Sequence, residues 1–365
     1  ILSAGDTYGR TDRGSGQRAL VEFVSANPTG PLTVGHGRQA VLGDTVSSIL
    51  KWHGYEVTRE YYYNDAGRQM RLLGESVYTR YMEILGKEAE LPENGYEGEY
   101  IRDIAQEIFS DHNDSLKDDG ENLIFKEKAE ETIFAHIRKT LGNVGIEMDS
   151  YVNEKTFYDD GSIDSVVADL REQGLAYDAD GAVWFKTTKL GKDQDTVLIK
   201  SSGEPTYRLP DIAYHCQKVK RGFDLIVDIF GTDHQATYPD VLAGVEKLGN
   251  KIDHIRVLIH QFVTLKSAGE KVKMSTRKAE YVTLQELIES VGVDVVRYFF
   301  IMRGMQSHLN FDLELATKES EENPVYYLQY AHARICNIIK FGKEAGVISD
   351  HKLDLSLLVE LSELR

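Results

Sequence analysis

Three groups of residues carry the types and spacings that could do chemistry. In Pro31-Leu-Thr-Val-Gly-His-Gly37, an apolar run ends in turn residues and a helical pattern begins. A helix start offers free N–H groups and a positive dipole end, which suit phosphate. Gly35 lets backbone approach a ligand, and His36 can donate to a phosphoryl oxygen. A packing role for Gly35 and Gly37, with His36 capping the turn, fits the spacing equally well. The second group is Val272–Lys278 with the residues just before it, where Lys266, Lys271, Lys273, Arg277 and Lys278 concentrate positive charge. A basic loop closing over a triphosphate would stabilise charge developing in transfer; a solvated surface loop is the plainer reading. The third group is acidic. Glu22 interrupts the apolar run Ala19–Val24, and burying a carboxylate without a partner is costly. Asp211 follows Tyr207 by four residues. Glu22, Asp211 and the Tyr207 hydroxyl could grip a cation, and a guanidinium matches carboxylates bidentately. A first-turn acid favoured by the helix dipole is the alternative for Asp211. Gly231-Thr-Asp-His-Gln235 adds a close-approach glycine and Asp233, suited to ribose hydroxyls. His234 has no zinc-type spacing with His254, His260 or Asp240, so no metal site is expected.

The elements that must position these groups are legible. Residues 19–24 read as a buried strand, 25–31 as a turn and 35–53 as a helix closed by Gly54. Residues 56–63 read as a second strand, completing a βαβ unit. From about 66 to 173 the pattern is helical, with stripes at Met70, Leu73, Val77, Tyr81 and Ile84, then Ile101, Ile104 and Ile108, then Ile133, Phe134, Ile137 and Leu141. Turns at 178–181 and 201–205 separate short strands. A helix is expected at 209–221, a strand at 223–230, a helix at 238–248 and a strand at 254–263. Thr283-Leu-Gln-Glu286 is a capping box. Only helices are expected from there on, including a long one from about 324 to 345. The reading is α/β: a parallel sheet split by a mostly helical insertion and followed by an all-α region.

Composition narrows the function. Against 42 Lys and Arg stand 59 Asp and Glu, a net charge of −17, which excludes a bulk polycation that binds nucleic acid by charge alone. Cys216 and Cys336 form no CxxC pair, so neither a disulfide framework nor a cysteine zinc site is expected. No run approaches the ~20 apolar residues of a membrane span, and no signal-peptide pattern opens the chain. A cytoplasmic setting without membrane contact is expected. The sequence opens without Met and closes inside a helical pattern, and it reads as a piece of a longer protein.

Thr33-Val-Gly-His36 resembles the HIGH signature of class I aminoacyl-tRNA synthetases, and Lys273-Met-Ser-Thr276 resembles their KMSKS signature. Val21–Pro31, Tyr62-Tyr-Asn-Asp-Ala-Gly67, Tyr207-Arg-Leu-Pro-Asp211, Gly231-Thr-Asp-His234 and Leu309-Asn-Phe-Asp312 look specifically like the arginyl-tRNA synthetase family. The resemblance runs from about residue 19 to 345. It implies a class I Rossmann-like catalytic domain, with halves at 19–68 and 176–282 and a helical insertion at 69–175. A loop or remnant at 1–18, a stem-contact helical region at 283–322 and the start of an anticodon-binding helical domain at 323–365 complete the implied division. It also implies activation of L-arginine by ATP, as its Mg²⁺ complex, and transfer to tRNA-Arg by a monomeric enzyme, with the first step usually needing bound tRNA. By resemblance, ATP would be held by Thr33, Gly35, His36, Gly37, Gly231, Asp233, Lys273, Met274, Ser275 and Arg277. His36, Lys273 and Ser275 would be catalytic. Glu22, Tyr207 and Asp211 would hold the guanidinium. Asn27, with the Asp233–Gln235 stretch including His234 and Gln235, would hold the α-amino and carboxylate end. The sequence departs from the signatures at Thr33, where the family has His, and at Thr276, where it has Lys; Arg277 is the expected partial substitute. Another adenylate-forming nucleotidyl transferase, or a non-catalytic arginine- or tRNA-binding relative, is the competing reading.

Overall fold

The computed structural model describes residues 4–267, 270–271 and 282–347. In chain order the first elements are strand β1 (Arg18–Glu22), helix α1 (Val34–Trp52) and strand β2 (Glu56–Tyr63). Helices α2 (Gly67–Ile84), α3 (Glu99–His112) and α4 (Leu123–Asn143) follow, then strand β3 (Ser150–Asn153) and helices α5 (Lys155–Asp159) and α6 (Ser162–Glu172). Strands β4 (Ala176–Ala179), β5 (Ala182–Phe185) and β6 (Thr196–Ile199) lead to α7 (Arg208–Lys220), β7 (Leu225–Gly231), α8 (Tyr238–Lys247) and β8 (Ile255–His260). The chain continues through β9 (Val263–Ser267), β10 (Glu270–Lys271), α9 (Leu284–Val291), α10 (Val293–Ile301), β11 (Leu309–Asp312), α11 (Leu313–Thr317) and α12 (Pro324–Glu344).

The main sheet is five-stranded among the described residues, in the order β3-β2-β1-β7-β8. Every pairing in it is parallel; Leu20 of β1 faces Thr58 on one side and Ile226 on the other. β1 therefore sits centrally and is buried on both faces. That explains the near-continuous apolar run Ala19-Leu-Val-Glu-Phe-Val24 and the absence of polar alternation. The chain winds outward from β1 to β3, then returns to β7 on the other side. The strand order reverses between β1 and β7, and a crevice opens there beyond the carboxyl ends of the strands. α1 rests on the sheet through Gly43, where a Cβ would lie 2.1 Å from the Phe23 ring.

The three expected helical stripes are buried together in one cluster with the sheet face. The structure differs from expectation in three elements. Ser150–Asn153, inside the region read as helical, is an edge strand paired with Glu60–Tyr63. The stretch read as one strand, 254–263, is broken at 261–262 into β8 of the main sheet and β9 of a separate sheet. Leu309–Asp312 is a strand parallel to β9, not part of a helix. Each is four to six residues long. Over that length a strand cannot be told from a helical segment by periodicity, and its partner is distant in sequence. The capping box at α9 forms as read: the Thr283 hydroxyl accepts from the Glu286 N–H, and the Glu286 carboxylate accepts from the Thr283 N–H.

Candidate functional site

A cavity of about 1130 Å³ occupies the crevice at the strand-order reversal. Its walls come from the carboxyl ends of all five strands: Glu22 to Asn27 after β1, Tyr62 and Asn64 at β2, Glu154 after β3, Gly231 and Asp233 at β7, and His260 at β8. Thr33, Gly35 and His36 add the N-terminus of α1; Tyr207, Asp211, Tyr214 and His215 add α7.

The turn after β1 is tightly wound. The Ser25 N–H donates back to the Phe23 carbonyl at 3.0 Å, and Val24 and Ser25 take positive φ values of 70° and 45°. For a β-branched residue this is a strained conformation. It is held from outside: the Tyr61 hydroxyl donates to the Ala26 carbonyl at 2.7 Å, and the Tyr100 hydroxyl of α3 donates to that of Thr29 at 2.8 Å. The result swings the Ser25 hydroxyl onto Glu22, to which it donates at 2.9 Å.

Glu22 is buried, and its charge is met from within the protein. Lys218 of α7, 0% exposed, pairs with Glu22 and with Asp228 of β7, the latter at 2.6 Å. His215 Nε2 lies 3.1 Å from the other Asp228 oxygen. Glu22, His215 and Asp228 bring three possible metal-ligand atoms within 4.8 Å of one another, but the Lys218 ammonium already bridges the two carboxylates. Sequence reasoning missed this lysine, because nothing in its surroundings distinguishes it from surface-facing Lys220.

Two other carboxylates at this end of the cavity have no such partner. Asp211, half-buried in the first turn of α7, makes no ion pair among the described residues; desolvation pushes its pKa up to about 7, with Glu154 and Glu22 adding to the shift and His215 and Lys218 opposing it. Glu154, 4% exposed, also makes no ion pair among the described residues. The Tyr62 hydroxyl donates to it at 2.9 Å, Asn64 Nδ2 at 2.5 Å and the Tyr158 hydroxyl at 3.4 Å. Burial raises its pKa as well, against the pull of those hydrogen bonds. Two desolvated carboxylates facing one cavity are an incomplete set of charges, which an entering cation would complete. Glu154 is a cavity residue that sequence reasoning did not find; only its position after a four-residue edge strand brings it here.

The other end of the cavity is built around α1. The Thr33 N–H donates to His36 Nδ1 at 3.1 Å. Nδ1 is thereby an acceptor, so a neutral ring carries its proton on Nε2. Burial holds the imidazole neutral by pushing its pKa down to about 4, with His260 contributing and Asp233 opposing. The site therefore offers a neutral N–H donor and a helix N-terminus. Gly35 lines the cavity, and a Cβ there would approach nothing nearer than Thr33 Oγ1, at 3.6 Å.

Of the residues expected from sequence, Glu22, Asn27, Thr33, Gly35, His36, Tyr207, Asp211, Gly231, Asp233 and His234 line this one cavity. Tyr207 does so from its rim, 69% exposed. Asn27 donates to Gln69 and accepts from the Asn64 N–H, both within hydrogen-bond range at 3.1 and 3.0 Å. His234 stacks on Phe230 with ring centroids 4.8 Å apart. Two of the expected residues lie away from the cavity wall. Gly37 points away from the cavity into α9 and α10: a Cβ there would lie 2.6 Å from Leu284 Cδ1 and 3.0 Å from the Phe300 ring, so this glycine serves packing. Gln235 is exposed and lies outside the cavity wall. Glu22 keeps its place but not the unshared charge expected of it. Lys273, Met274, Ser275 and Arg277 lie outside the described residues.

The family model for the class I (R) tRNA synthetase catalytic domain matches residues 1–296. The chain belongs to the class I arginyl-tRNA synthetase family. It is 56% identical over 363 residues to the arginine–tRNA ligase of Desulfotalea psychrophila, covering 100% of this chain and 66% of that one. It is 53% identical to the arginine–tRNA ligase of Salinibacter ruber, covering 100% of this chain and 68% of the relative. The chain thus spans about two thirds of the length of these curated relatives. A solved Campylobacter jejuni chain described among the arginyl-tRNA synthetases shares 33% identity with a TM-score of 0.85, covering 98% of this chain and 80% of that one. The arginyl-tRNA synthetase of Thermus thermophilus, at 19% identity, shares the fold with a TM-score of 0.70, covering 98% of this chain and 70% of its own. No described helix of this family member is long and apolar enough to cross a membrane.

Proposed function

We propose that this chain is an arginine–tRNA ligase: it activates L-arginine with Mg²⁺–ATP and transfers the arginyl group to tRNA-Arg. The observation that carries the reading is the pairing, in one cavity, of two carboxylates without an ion pair among the described residues, half-buried Asp211 and buried Glu154, with a helix N-terminus fronted by neutral His36. The first end suits a guanidinium, and the second suits phosphate.

In this reading the guanidinium lies between Asp211 and Glu154, with Tyr207 at the rim and Glu22 behind, its charge moderated by Lys218. Asn27 and His234 take the α-amino and carboxylate end. The arginine carboxylate oxygen attacks the α-phosphorus of ATP, the bond to the bridging oxygen breaks, and pyrophosphate leaves. His36 Nε2–H, the α1 N–H groups and the Thr33 hydroxyl receive the phosphate charge; Asp233 takes ribose hydroxyls beside Gly231. Lys273 and Ser275, with Met274 and Arg277 beside them in sequence, are proposed to hold the triphosphate as charge develops. A terminal ribose hydroxyl of tRNA-Arg then attacks the adenylate carbonyl carbon, and AMP leaves. Residues 283–322 are proposed to meet the tRNA stem and 323–365 to begin the anticodon-binding region. A monomer in the cytoplasm is the proposed working state.

ATP–pyrophosphate exchange, run with arginine and with other amino acids and with and without tRNA-Arg, tests the reading. Exchange confined to arginine supports it. Exchange driven by a different acid would point to another adenylate-forming enzyme, and binding of arginine without exchange to a non-catalytic relative.

A further inference from the structure

His260 ends β8 inside the cavity wall, 6% exposed, and neither the phosphate chemistry nor the arginine subsite uses it. Its ring is oriented by the backbone that follows. Nδ1 lies 3.2 Å from the Gln261 carbonyl oxygen, which can only accept, so Nδ1 carries the proton. That carbonyl is itself fixed, accepting from Arg38 Nη1 at 2.7 Å. Arg38, buried within α1, also donates to the Ser307 and Gly304 carbonyls, at 3.0 and 3.1 Å, while its Nε–H has no partner among the described residues. A permanent cation thus stands behind His260, with no carboxylate bonded to it among the described residues. Burial, the largest cause, keeps the imidazole neutral; Arg38 reinforces this, while the Gln261 carbonyl and Asp233 work against it.

The consequence is at Nε2. With Nδ1–H committed, Nε2 is a lone-pair acceptor. It is buried and has no hydrogen-bond partner among the described residues. Its neighbours in the wall are His36 and Asp233 at the nucleotide end, with Phe230, Phe262 and Val263 supplying apolar surface. A buried acceptor left unmet is costly, and a site built around one rejects ligands that lack the matching donor.

We infer that His260 is a specificity-determining residue for the nucleotide: its Nε2 accepts a hydrogen bond from a donor on ATP, either the adenine 6-amino group or a ribose hydroxyl. The inference rests on the nucleotide reading of that end of the cavity. His36 and His260 then form a complementary pair, one presenting Nε2–H to phosphate oxygen and the other a bare Nε2 to an N–H or O–H.

Calorimetric binding of ATP, purine riboside triphosphate, 2′-deoxy-ATP and 3′-deoxy-ATP tests this on the intact chain. The wild type is expected to bind one analogue about tenfold or more weakly than ATP, and that analogue names the donor. His260→Phe should weaken ATP by a similar factor and bring the ratio for that analogue close to one, with the other ratios unchanged. Arginine affinity reports folding of the variant; should His260→Phe lose it, His260→Leu serves as the second acceptor-free variant. Equal wild-type affinity for all four nucleotides overturns the inference, as does an acceptor-free variant that keeps the wild-type ratios. Failure of the wild type to bind ATP, with arginine still bound, would remove the nucleotide reading itself and the inference with it.

Discussion

At Asp211 the same physics that makes a receptor weakens the empty protein. Its carboxyl group has a pKa near 7 when folded and an ordinary value of 3.8 when unfolded. Between those values the folded state holds a proton that the unfolded state has lost. Stability therefore falls as pH rises through that window. Asp211→Asn should stabilise the unliganded chain at pH 8, on the order of 1–2 kcal/mol after discounting for partial exposure, and have little effect at pH 4; urea unfolding at the two pH values checks it. Arginine binding has the opposite sign. A guanidinium requires the ionised form, so affinity should rise from pH 5.5 to 7.5 and then level. Protons should be released on binding at pH 6.5, visible as a dependence of the calorimetric enthalpy on buffer. Asp211→Asn should abolish that release and weaken arginine binding, on the order of 2–5 kcal/mol. An unchanged arginine affinity in that variant would remove Asp211 from the guanidinium subsite. Lys218 gives a second test at this scale. Lys218→Met leaves Glu22 and Asp228 buried without a cation and should cost about 3–5 kcal/mol of stability. The triple variant with Glu22→Gln and Asp228→Asn should recover much of it, because the loss arises from unpaired charge and not from missing packing.

At the scale of elements, α1 shows how one short motif serves two masters. Gly35 and Gly37 are two residues apart; the family resemblance implied that both hold ATP, while their spacing alone fitted packing equally well. The helix turns them about 200° apart, at roughly 100° per residue. Gly35 faces the cavity; Gly37 faces Leu284 and Phe300. Gly37→Ala should therefore lower thermal stability, by about 1–3 kcal/mol from overpacking, and Leu284→Val in the same chain should restore part of it. Gly35→Ala should leave stability near wild type and weaken ATP. If Gly37→Ala were to lose ATP affinity at full stability, the packing assignment would be wrong. Strand β3 carries the complementary lesson. Its four residues contribute little to the core, yet they deliver Glu154 to the cavity through pairing with β2.

At the scale of the molecule, the exposed face of α12 stands out against the buried cores of the other helices. Tyr327, Ile335, Ile338 and Phe341 are each more than half exposed. Contiguous apolar surface of this kind drives association. At micromolar concentration this face should draw the proposed monomer into reversible self-association, which Ile338→Glu with Phe341→Glu should abolish in sedimentation without changing arginine binding. A wild-type monomer across that range would mean that the face is too small or too interrupted to act.

What the sequence determined by itself is what local chemistry writes locally. The βαβ opening, the helix stripes of α2 to α4, the α9 capping box and the two ends of the cavity at Thr33–His36 and Tyr207–Asp211 were all legible. Periodicity, caps and turn residues act over fewer than a dozen positions, and the family motifs are contiguous. Tertiary structure decided what depends on a distant partner. Lys218, His215 and Asp228 became a charge cluster around Glu22 only when α7 packed across β1 and β7. Glu154 reached Asp211 only by β3 joining the sheet edge. Gly37 was separated from Gly35 by helical phase, and Gln235 was turned outward by the short helix at Thr232–His234. His260 acquired its bare acceptor nitrogen from an arginine 222 positions away that fixes the next carbonyl. For the titratable groups among these the deciding energy is desolvation, a property of the enclosed volume around a group; a linear sequence does not specify that volume until the sheet closes it.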